Sequence, residues 1–173
     1  EGAEDDARGG ARAIRDRARR GDAVVGIAAS GVTPFVLAAL AEARRRGALT
    51  VLVTCNPSVP RPAAHIVIAL EVGPEVLAGS TRLKAGTATK LALNTISTTL
   101  MVRAGKVYEN LMVDLKASNA KLRDRAARIV TMLCGLDRQA AFDLLAAAGG
   151  SVKAAVVMHR LGVTRDAAQQ RLE

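Results

Sequence analysis

The stretch Ala23–Pro34, AVVGIAASGVTP, decides the fold because it joins a strand to a helix. Its first seven residues are a continuous apolar run without polar alternation, a pattern typical of a strand buried on both faces. Its closing Thr-Pro pair suits the N-cap and first turn of a helix, which we expect to end at Gly47. A second apolar run, Thr50–Cys55, follows. Strand, helix and strand in this order predict a parallel crossover unit of an α/β domain.

The carboxyl end of the first predicted strand carries the first candidate binding residues. Ligands of open parallel sheets lie beyond the carboxyl ends of the strands. This rule places residues 30–33, which read SGVT, at the ligand edge. A loop at 58–64 and a third short strand at 66–70 are predicted to follow.

A second candidate site is the stretch Gly79–Lys90, GSTRLKAGTATK, which holds two glycines, four hydroxyl side chains and three cations. It opens a predicted helix from about Thr87 to Arg103. Backbone N–H groups at a helix start are unpaired and partly positive, so this loop suits a phosphate or a carboxylate. It lacks the spacing of a Walker-type phosphate loop. The alternative interpretation is a polar loop in front of a well-capped helix.

The remaining segments read as helices. A basic helix is predicted at 7–20 and a long one at 111–133, and three short ones are predicted at 137–147, 151–160 and 164–172, with Ser151 and Thr164 as N-caps. The change of character after Leu133 predicts a domain at 1–134 and a helical tail at 135–173.

Composition limits the functional classes. The chain has 173 residues and half of them are hydrophobic, but no run reaches the roughly 20 apolar residues of a membrane span. An acidic start, with no signal peptide, and two cysteines without metal-ligand spacing predict a cytoplasmic protein with no membrane association, no metal and no cofactor. The net charge of +9 suggests the hypothesis of nucleic-acid binding. Single-strand binders usually stack bases on aromatic side chains, and aromatic residues make up only 2% of this chain. We therefore expect no nucleic-acid partner, and we interpret the arginine cluster at 15–20 as a solvated helix face.

Two longer segments carry a family resemblance. Residues 75–88, EVLAGSTRLKAGTA, and residues 105–114, GKVYENLMVD, resemble N-acetylmuramic acid 6-phosphate etherases, whose fold is the sugar-isomerase (SIS) fold. The similarity extends from residue 1 to about residue 130. The tail resembles the ubiquitin-associated-like (UBA-like) helices that end many etherase sequences.

The resemblance implies a lyase of amino-sugar metabolism and peptidoglycan recycling. Such an enzyme cleaves the lactyl ether of N-acetylmuramic acid 6-phosphate to N-acetylglucosamine 6-phosphate and D-lactate, with no metal or cofactor. By the family's Glu-Gly-Ala-Glu-Asp motif, Glu4 is a general acid or base; an acid at a helix start is the alternative. The implied phosphosugar-binding residues are Ser30, Gly31, Thr33, Ser80, Thr81, Arg82 and Lys84. Val32 stands where the family has arginine.

The resemblance also raises expectations about completeness and assembly. Family members carry a further N-terminal segment with the first strand, a Gly-Thr-Ser-Gly-Arg phosphate loop and another catalytic glutamate. We therefore expect an SIS-type parallel sheet that is incomplete at its N-terminus. We expect the isolated chain to be inactive or nearly so, and the protein to form a homodimer. The alternative function is that of a non-catalytic sugar-phosphate sensor similar to the glucokinase regulatory protein, or of an inactive truncated remnant.

Overall fold

The computed structural model describes residues 2–59, 64–115 and 117–173, so Glu1 and part of the loop predicted at 58–64 lie outside the described residues. The chain divides into two compact units, Glu1–Ile96 and Ser97–Glu173. The helices and strands of the first unit are α1 (Ala7–Arg15), β1 (Ala23–Ile27), α2 (Pro34–Arg45), β2 (Leu49–Thr54), β3 (Ile66–Ala69) and the start of α3 (Lys84–Arg103).

The first unit is built on a parallel sheet in the order β1-β2-β3. Val25 pairs with Val51, which in turn pairs with Ile66, so the three strands lie side by side in one register. The predicted strand–helix–strand unit and its parallel pairing are confirmed.

The expectation that the first strand is buried on both faces is wrong. Burial alternates along β1, and Val25 and Ile27 are 41% and 46% exposed. Leu49 and Ile66 share that face through the strand register and are each 46% exposed. The physical reason is that β1 is an edge strand and that α2 packs on the opposite face. Only β2, the central strand, is mostly buried.

Helices α1 and α2 pack closely against each other. Asp6 begins α1 as its N-cap by accepting a hydrogen bond from the Gly9 N–H at 2.8 Å. A Cβ at Gly10 would lie 2.1 Å from the Phe35 carbonyl oxygen, so glycine permits this approach. The helix ends at Arg15 rather than at the predicted Arg20, and residues 16–22 form a turn against the end of α2.

The helix-covered face of the sheet holds a small aliphatic core. Leu40 of α2 and Leu52 of β2 are fully buried and pack with Ala28. Beside this core, His65 joins β3 to β2, because its Nδ1 lies 3.1 Å from the Thr50 N–H and 2.8 Å from the Thr50 Oγ1. His65 therefore has a structural role.

A carboxylate from a preceding loop caps α3. The two carboxylate oxygens of Glu75 accept hydrogen bonds from the N–H groups of Lys84 and Ala85, each at 3.0 Å. The bond from Ala85, and after it the bond from Lys84, lowers the pKa of Glu75. The helix start predicted at Thr87 is thus three residues earlier, where Glu75 satisfies two otherwise unpaired donors.

The second unit differs from the prediction at its start. Val107–Tyr108 (β4) and Leu111–Met112 (β5) form an antiparallel hairpin in place of the first turns of the helix predicted at 111–133. A two-residue turn joins the strands, and Glu109 in it has a left-handed φ of 52°. Helix α4 (Ala120–Cys134) begins after Asn119, whose side chain accepts a hydrogen bond from the Leu122 N–H.

The three predicted tail helices are present as α5 (Arg138–Ala147), α6 (Val152–Leu161) and α7 (Arg165–Gln170). Ser151 and Thr164 are N-caps, as predicted, and each accepts a hydrogen bond from an N–H three residues later. Helix α4 shares a core with α5 and α6, and these helices belong to the second compact unit, Ser97–Glu173. The division into a domain at 1–134 and a UBA-like tail at 135–173 stays a prediction.

In the described part of the chain, no single helix is long and apolar enough to cross a membrane, although α5 and α6 together reach the required length and composition with a bend of 103° between them.

Replacing Leu40 by alanine is expected to lower the free energy of unfolding by about 2–5 kcal/mol, because the cavity left beneath α2 can collapse only partly. Urea unfolding followed by circular dichroism measures this change. Leu77→Ala is the matched control, since Leu77 is 69% exposed, and its effect should stay within about 0.5 kcal/mol. Equal effects of the two substitutions would contradict the assigned core.

Replacing Glu75 by glutamine is expected to lower the melting temperature at neutral pH, because the uncharged amide has only one oxygen to accept from the two N–H groups. A carboxyl whose pKa is lowered on folding stabilises the protein above its ordinary pKa of 4.5, and this stabilisation is lost as the pH falls through the lowered value. The difference in melting temperature between wild type and variant should therefore shrink below about pH 4.5. A difference independent of pH would argue against the cap, and Glu71→Gln, at an exposed acid nearby, is the control.

Candidate functional site

A cleft at the carboxyl end of the sheet joins residues from four parts of the first unit. It has a volume of about 380 Å³. Its polar side chains are one carboxyl group and three hydroxyl groups, those of Glu4, Ser30, Thr33 and Thr81. Ile27, Phe35 and Val36 supply apolar surface. A carboxyl group can move a proton, and hydroxyl groups can bind phosphate or sugar oxygens, so this cleft is the candidate active site.

Side chains at the end of β2 position the loop at 30–33. The Asn56 Nδ2 donates a hydrogen bond to the Ser30 carbonyl oxygen at 3.0 Å. The Thr54 Oγ1 donates to the Ala29 carbonyl oxygen at 3.1 Å, and Thr54 is buried. These bonds join the end of β2 to the loop that follows β1, beyond the last paired residues of the two strands. They therefore fix Ser30 at the cleft.

Glycine is required at position 31. Gly31 is buried and has a φ of +75°, a conformation that residues with a Cβ rarely adopt. An added Cβ would also lie 2.3 Å from the Val59 Cγ2 and 2.9 Å from the Thr54 Oγ1. Gly31 therefore shapes the loop and is absent from the cleft lining, where the sequence places a binding residue.

The loop hydroxyls make different local contacts. The Ser30 Oγ accepts a hydrogen bond from the Val32 N–H at 3.3 Å. Thr33 occupies the N-cap position of α2, but its side chain makes no capping hydrogen bond, contrary to the sequence expectation. Instead Thr33 lines the cleft. Val32 is half exposed and lies outside the lining.

Glu4 is held at the cleft through its backbone. Its carbonyl oxygen accepts a hydrogen bond at 3.0 Å from the N–H of Phe35, in the first turn of α2. An N–H in the first turn of a helix has no acceptor inside the helix, and the Glu4 carbonyl oxygen accepts its hydrogen bond instead. The Glu4 side chain is exposed and borders the cleft. The same helix start therefore anchors both the Glu4 segment and Thr33.

Of the candidate binding stretch at 79–90, which includes the start of α3, only Thr81 lines the cleft among the described residues. The predicted partners Ser80, Arg82 and Lys84 lie outside the lining. The Lys84 N–H, which the sequence offers to an external anion, is instead bonded to the Glu75 carboxylate. An internal anion thus already occupies the start of α3.

Sequence reasoning missed three residues that position the candidate binding segments. Thr54 and Asn56 bind carbonyl groups of the loop at 29–30, and Glu75 binds N–H groups at the start of α3. Asn56 directly follows a predicted parallel strand, and polar residues in that position are a recognisable signal. No sequence pattern indicates Glu75, because nine residues separate it from its first partner.

Across residues 2–59, 64–115 and 117–173, no three histidine, cysteine, aspartate or glutamate side chains are grouped closely enough to hold a metal ion.

Comparison with known proteins gives the relationship of the chain. An N-acetylmuramic acid 6-phosphate etherase of Symbiobacterium thermophilum is 58% identical over 164 residues, which is 94% of this chain and 55% of the relative. The etherase of Deinococcus radiodurans is 52% identical over 100% of this chain and 57% of its own length. The etherase of Rubrobacter xylanophilus is 56% identical over 99% of this chain and 58% of its own length. The chain thus spans somewhat more than half the length of these curated relatives.

A family model gives the same relationship at the level of the domain. The model described as SIS domain matches residues 9–98. This range contains the parallel sheet, α2, the loop at 30–33 and Thr81. It covers more than half of the chain and most of the candidate site, and the chain belongs to the SIS domain family.

Proposed function

We propose that this chain forms part of an N-acetylmuramic acid 6-phosphate etherase, a lyase that releases D-lactate and N-acetylglucosamine 6-phosphate. The observation that carries the proposal is the cleft in which Glu4 lies beside Ser30, Thr33 and Thr81. Its relatives of 52–58% identity, which are named N-acetylmuramic acid 6-phosphate etherases, support the proposal.

The hydroxyl side chains are proposed to bind the sugar phosphate. Ser30, Thr33 and Thr81 come from two loops and line one cleft, so they can donate to different oxygens of one ligand. Arg82 and Lys84 are both exposed beside Thr81 in sequence and add positive charge, which favours the approach of a phosphate. Gly31 contributes by giving its loop the conformation that turns Ser30 and Thr33 to the cleft.

Glu4 is proposed to transfer a proton in the cleavage. A base removes the proton alpha to the sugar carbonyl, an acid donates a proton to the departing lactyl oxygen, and water then adds to the resulting double bond. Glu4 can perform one of the two proton transfers, because its side chain borders the cleft while its backbone is fixed to α2. A rigid anchor of this kind keeps an acid or base within reach of its substrate.

The finer setting of this activity is also proposed. The reaction belongs to amino-sugar recycling from the cell wall in the cytoplasm, and the protein works as a homodimer. Exposed leucines and valines on α3, among them Leu91 and Leu100, support a further packing partner for that helix.

Replacing Thr81 by alanine is expected to weaken binding of N-acetylglucosamine 6-phosphate by about 1.5–3 kcal/mol, because a hydrogen bond to a charged group is lost. Isothermal titration calorimetry on the natural gene product that contains this chain measures the change. Thr95→Ala is the matched control, since the Thr95 hydroxyl donates to the Leu91 carbonyl of its own helix. Unchanged affinity in the Thr81 variant would remove Thr81 from the proposed site.

Replacing Glu4 by glutamine is expected to lower kcat by about 10²–10⁴-fold, because the amide keeps the size of the side chain but cannot carry the proton. The assay measures D-lactate release from N-acetylmuramic acid 6-phosphate by the same gene product. Affinity for the product N-acetylglucosamine 6-phosphate should change far less, because the proposed phosphate contacts lie on other residues.

Asp5→Asn is the matched control for Glu4. It removes the neighbouring carboxylate, which lies outside the cleft lining, and should leave most of the activity. If Glu4→Gln released lactate at the wild-type rate, Glu4 would be only an acid near a helix start.

A further inference from the structure

A second polar cavity lies at the end of α2 that is remote from the cleft. It has a volume of about 460 Å³, and four of its six lining residues are arginines: Arg19, Arg20, Arg45 and Arg46. The other two are Ala18 and Glu42. We refer to these six residues as the arginine groove.

The fold unites two arginine clusters that are separate in the sequence. One cluster lies in residues 15–22, and the other lies in residues 42–46 at the end of α2. Together these segments hold seven arginines and three carboxylates, which leaves a local charge of +4 out of +9 for the whole chain. The sequence interpretation of the first cluster as a solvated helix face is incomplete, because α1 ends at Arg15 and the following arginines lie in a turn.

The turn that carries Arg19 and Arg20 is firmly held. The Arg19 N–H donates to the Asp22 carboxylate at 2.8 Å, and the Asp22 carbonyl accepts from the Leu49 N–H at 2.8 Å. A Cβ added at Gly47 would lie 3.5 Å from the Cβ and Cγ of Arg20, so the start of that side chain runs beside the Gly47 backbone. These contacts order the backbone of the turn, so a ligand would not have to order it on binding.

Glu42 organises the other side of the groove. Its side chain is 3% exposed and forms ion pairs with Arg45 and with Arg46, the latter at 3.3 Å between the Arg46 Nε and the Glu42 Oε1. Arg15 lies at 3.9 Å from the same oxygen. One carboxylate therefore holds three guanidinium groups and leaves an excess of positive charge.

Helix electrostatics explain only part of this arrangement. Arginines in the last turn of α2 are favourable against the negative end of the helix dipole, which accounts for Arg45. Arg19 and Arg20 lie outside any helix, and within the described residues neither side chain has an assigned ion-pair partner. Their convergence on the same cavity requires a different explanation.

We propose that the arginine groove binds a small polyanion with two or more adjacent phosphate groups. One guanidinium group can bind a phosphate through two parallel N–H···O bonds. Arg19 and Arg20, which have no assigned ion-pair partner among the described residues, can therefore bind two phosphates, while Arg45 and Arg46 share the Glu42 carboxylate and add positive charge. A nucleic acid fits less well, because the groove lining includes no aromatic side chain on which a base could stack.

The arginine groove is distinct from the candidate active site and does not depend on the proposed function. The cleft is lined by the first residues of α2, and the groove by its last. Twelve residues of helix separate these ends by roughly 18 Å at 1.5 Å per residue. A bound polyanion would therefore contact the same helix that anchors Glu4, at its opposite end.

The test is calorimetric titration of the natural gene product that contains this chain with inorganic pyrophosphate at low ionic strength. Arg19→Ala/Arg20→Ala should weaken binding by at least about tenfold, because two charge-assisted contacts are removed. The matched control is Arg123→Ala/Arg125→Ala, which removes the same charge from two exposed positions of α4 and should change the affinity less than about twofold. Circular dichroism and thermal melting verify that each variant is folded.

Further measurements separate specific binding from general attraction. Arg19→Lys/Arg20→Lys keeps the charge but loses the paired guanidinium geometry, so its affinity should fall between those of wild type and the alanine variant.

Equal losses in the groove and control variants would overturn the proposal in favour of diffuse charge. Orthophosphate bound as tightly as pyrophosphate would overturn the requirement for adjacent phosphates. A single-stranded oligonucleotide that binds more tightly than pyrophosphate, and is lost in the same variant, would overturn it in favour of nucleic-acid binding.

Discussion

Main-chain hydrogen bonds between β1 and β2 hold the first unit in the arrangement from which its candidate sites follow. Because the strands are parallel, α2 must return the chain along the sheet, and both strand ends lie at one edge. At that edge Thr54 and Asn56 bind carbonyl groups of the loop at 29–30. The start of α2 then receives the Glu4 segment through the Phe35 N–H. One strand pair thus positions residues from three separate parts of the chain.

Local chemistry made much of this structure predictable. The apolar run before residue 30 identified β1, and the hydroxyl caps Ser151 and Thr164 marked the starts of two tail helices correctly. The hairpin at 107–112 escaped prediction, because its strands have two residues each and resemble the start of the following helix. The exposure of one face of β1 was also not predicted, because an apolar sequence shows that a strand can be buried but not whether another element covers it. For the candidate site, the positions of the loops were predictable from the sequence. The hydrogen bonds of Glu75 and Asn56 were not, because they join residues that only the fold brings together.

The two polar sites of the first unit differ in how charge is arranged. In the cleft, neutral hydroxyl groups surround one carboxyl group, a composition suited to chemistry on a ligand. In the arginine groove, fixed cations surround a buried carboxylate, a composition suited to holding an anion without changing it. Glu42 and Glu75 share one role, since each is an internal anion that occupies a site of positive potential. Any external anion at either place competes with that resident carboxylate.

Helix α3 has a consequence for the dynamics of the protein. It runs for 20 residues, yet among those residues Ala85 is the only buried one, and its start depends on the Glu75 carboxylate. Isolated helices of this length are marginal in water, and most helical stability in proteins comes from packing. The backbone amides near the middle of α3 should therefore exchange their hydrogens with solvent faster than those of the central strand β2, whose residues are mostly buried. A contact partner for α3 would appear first as slowed exchange along this one helix.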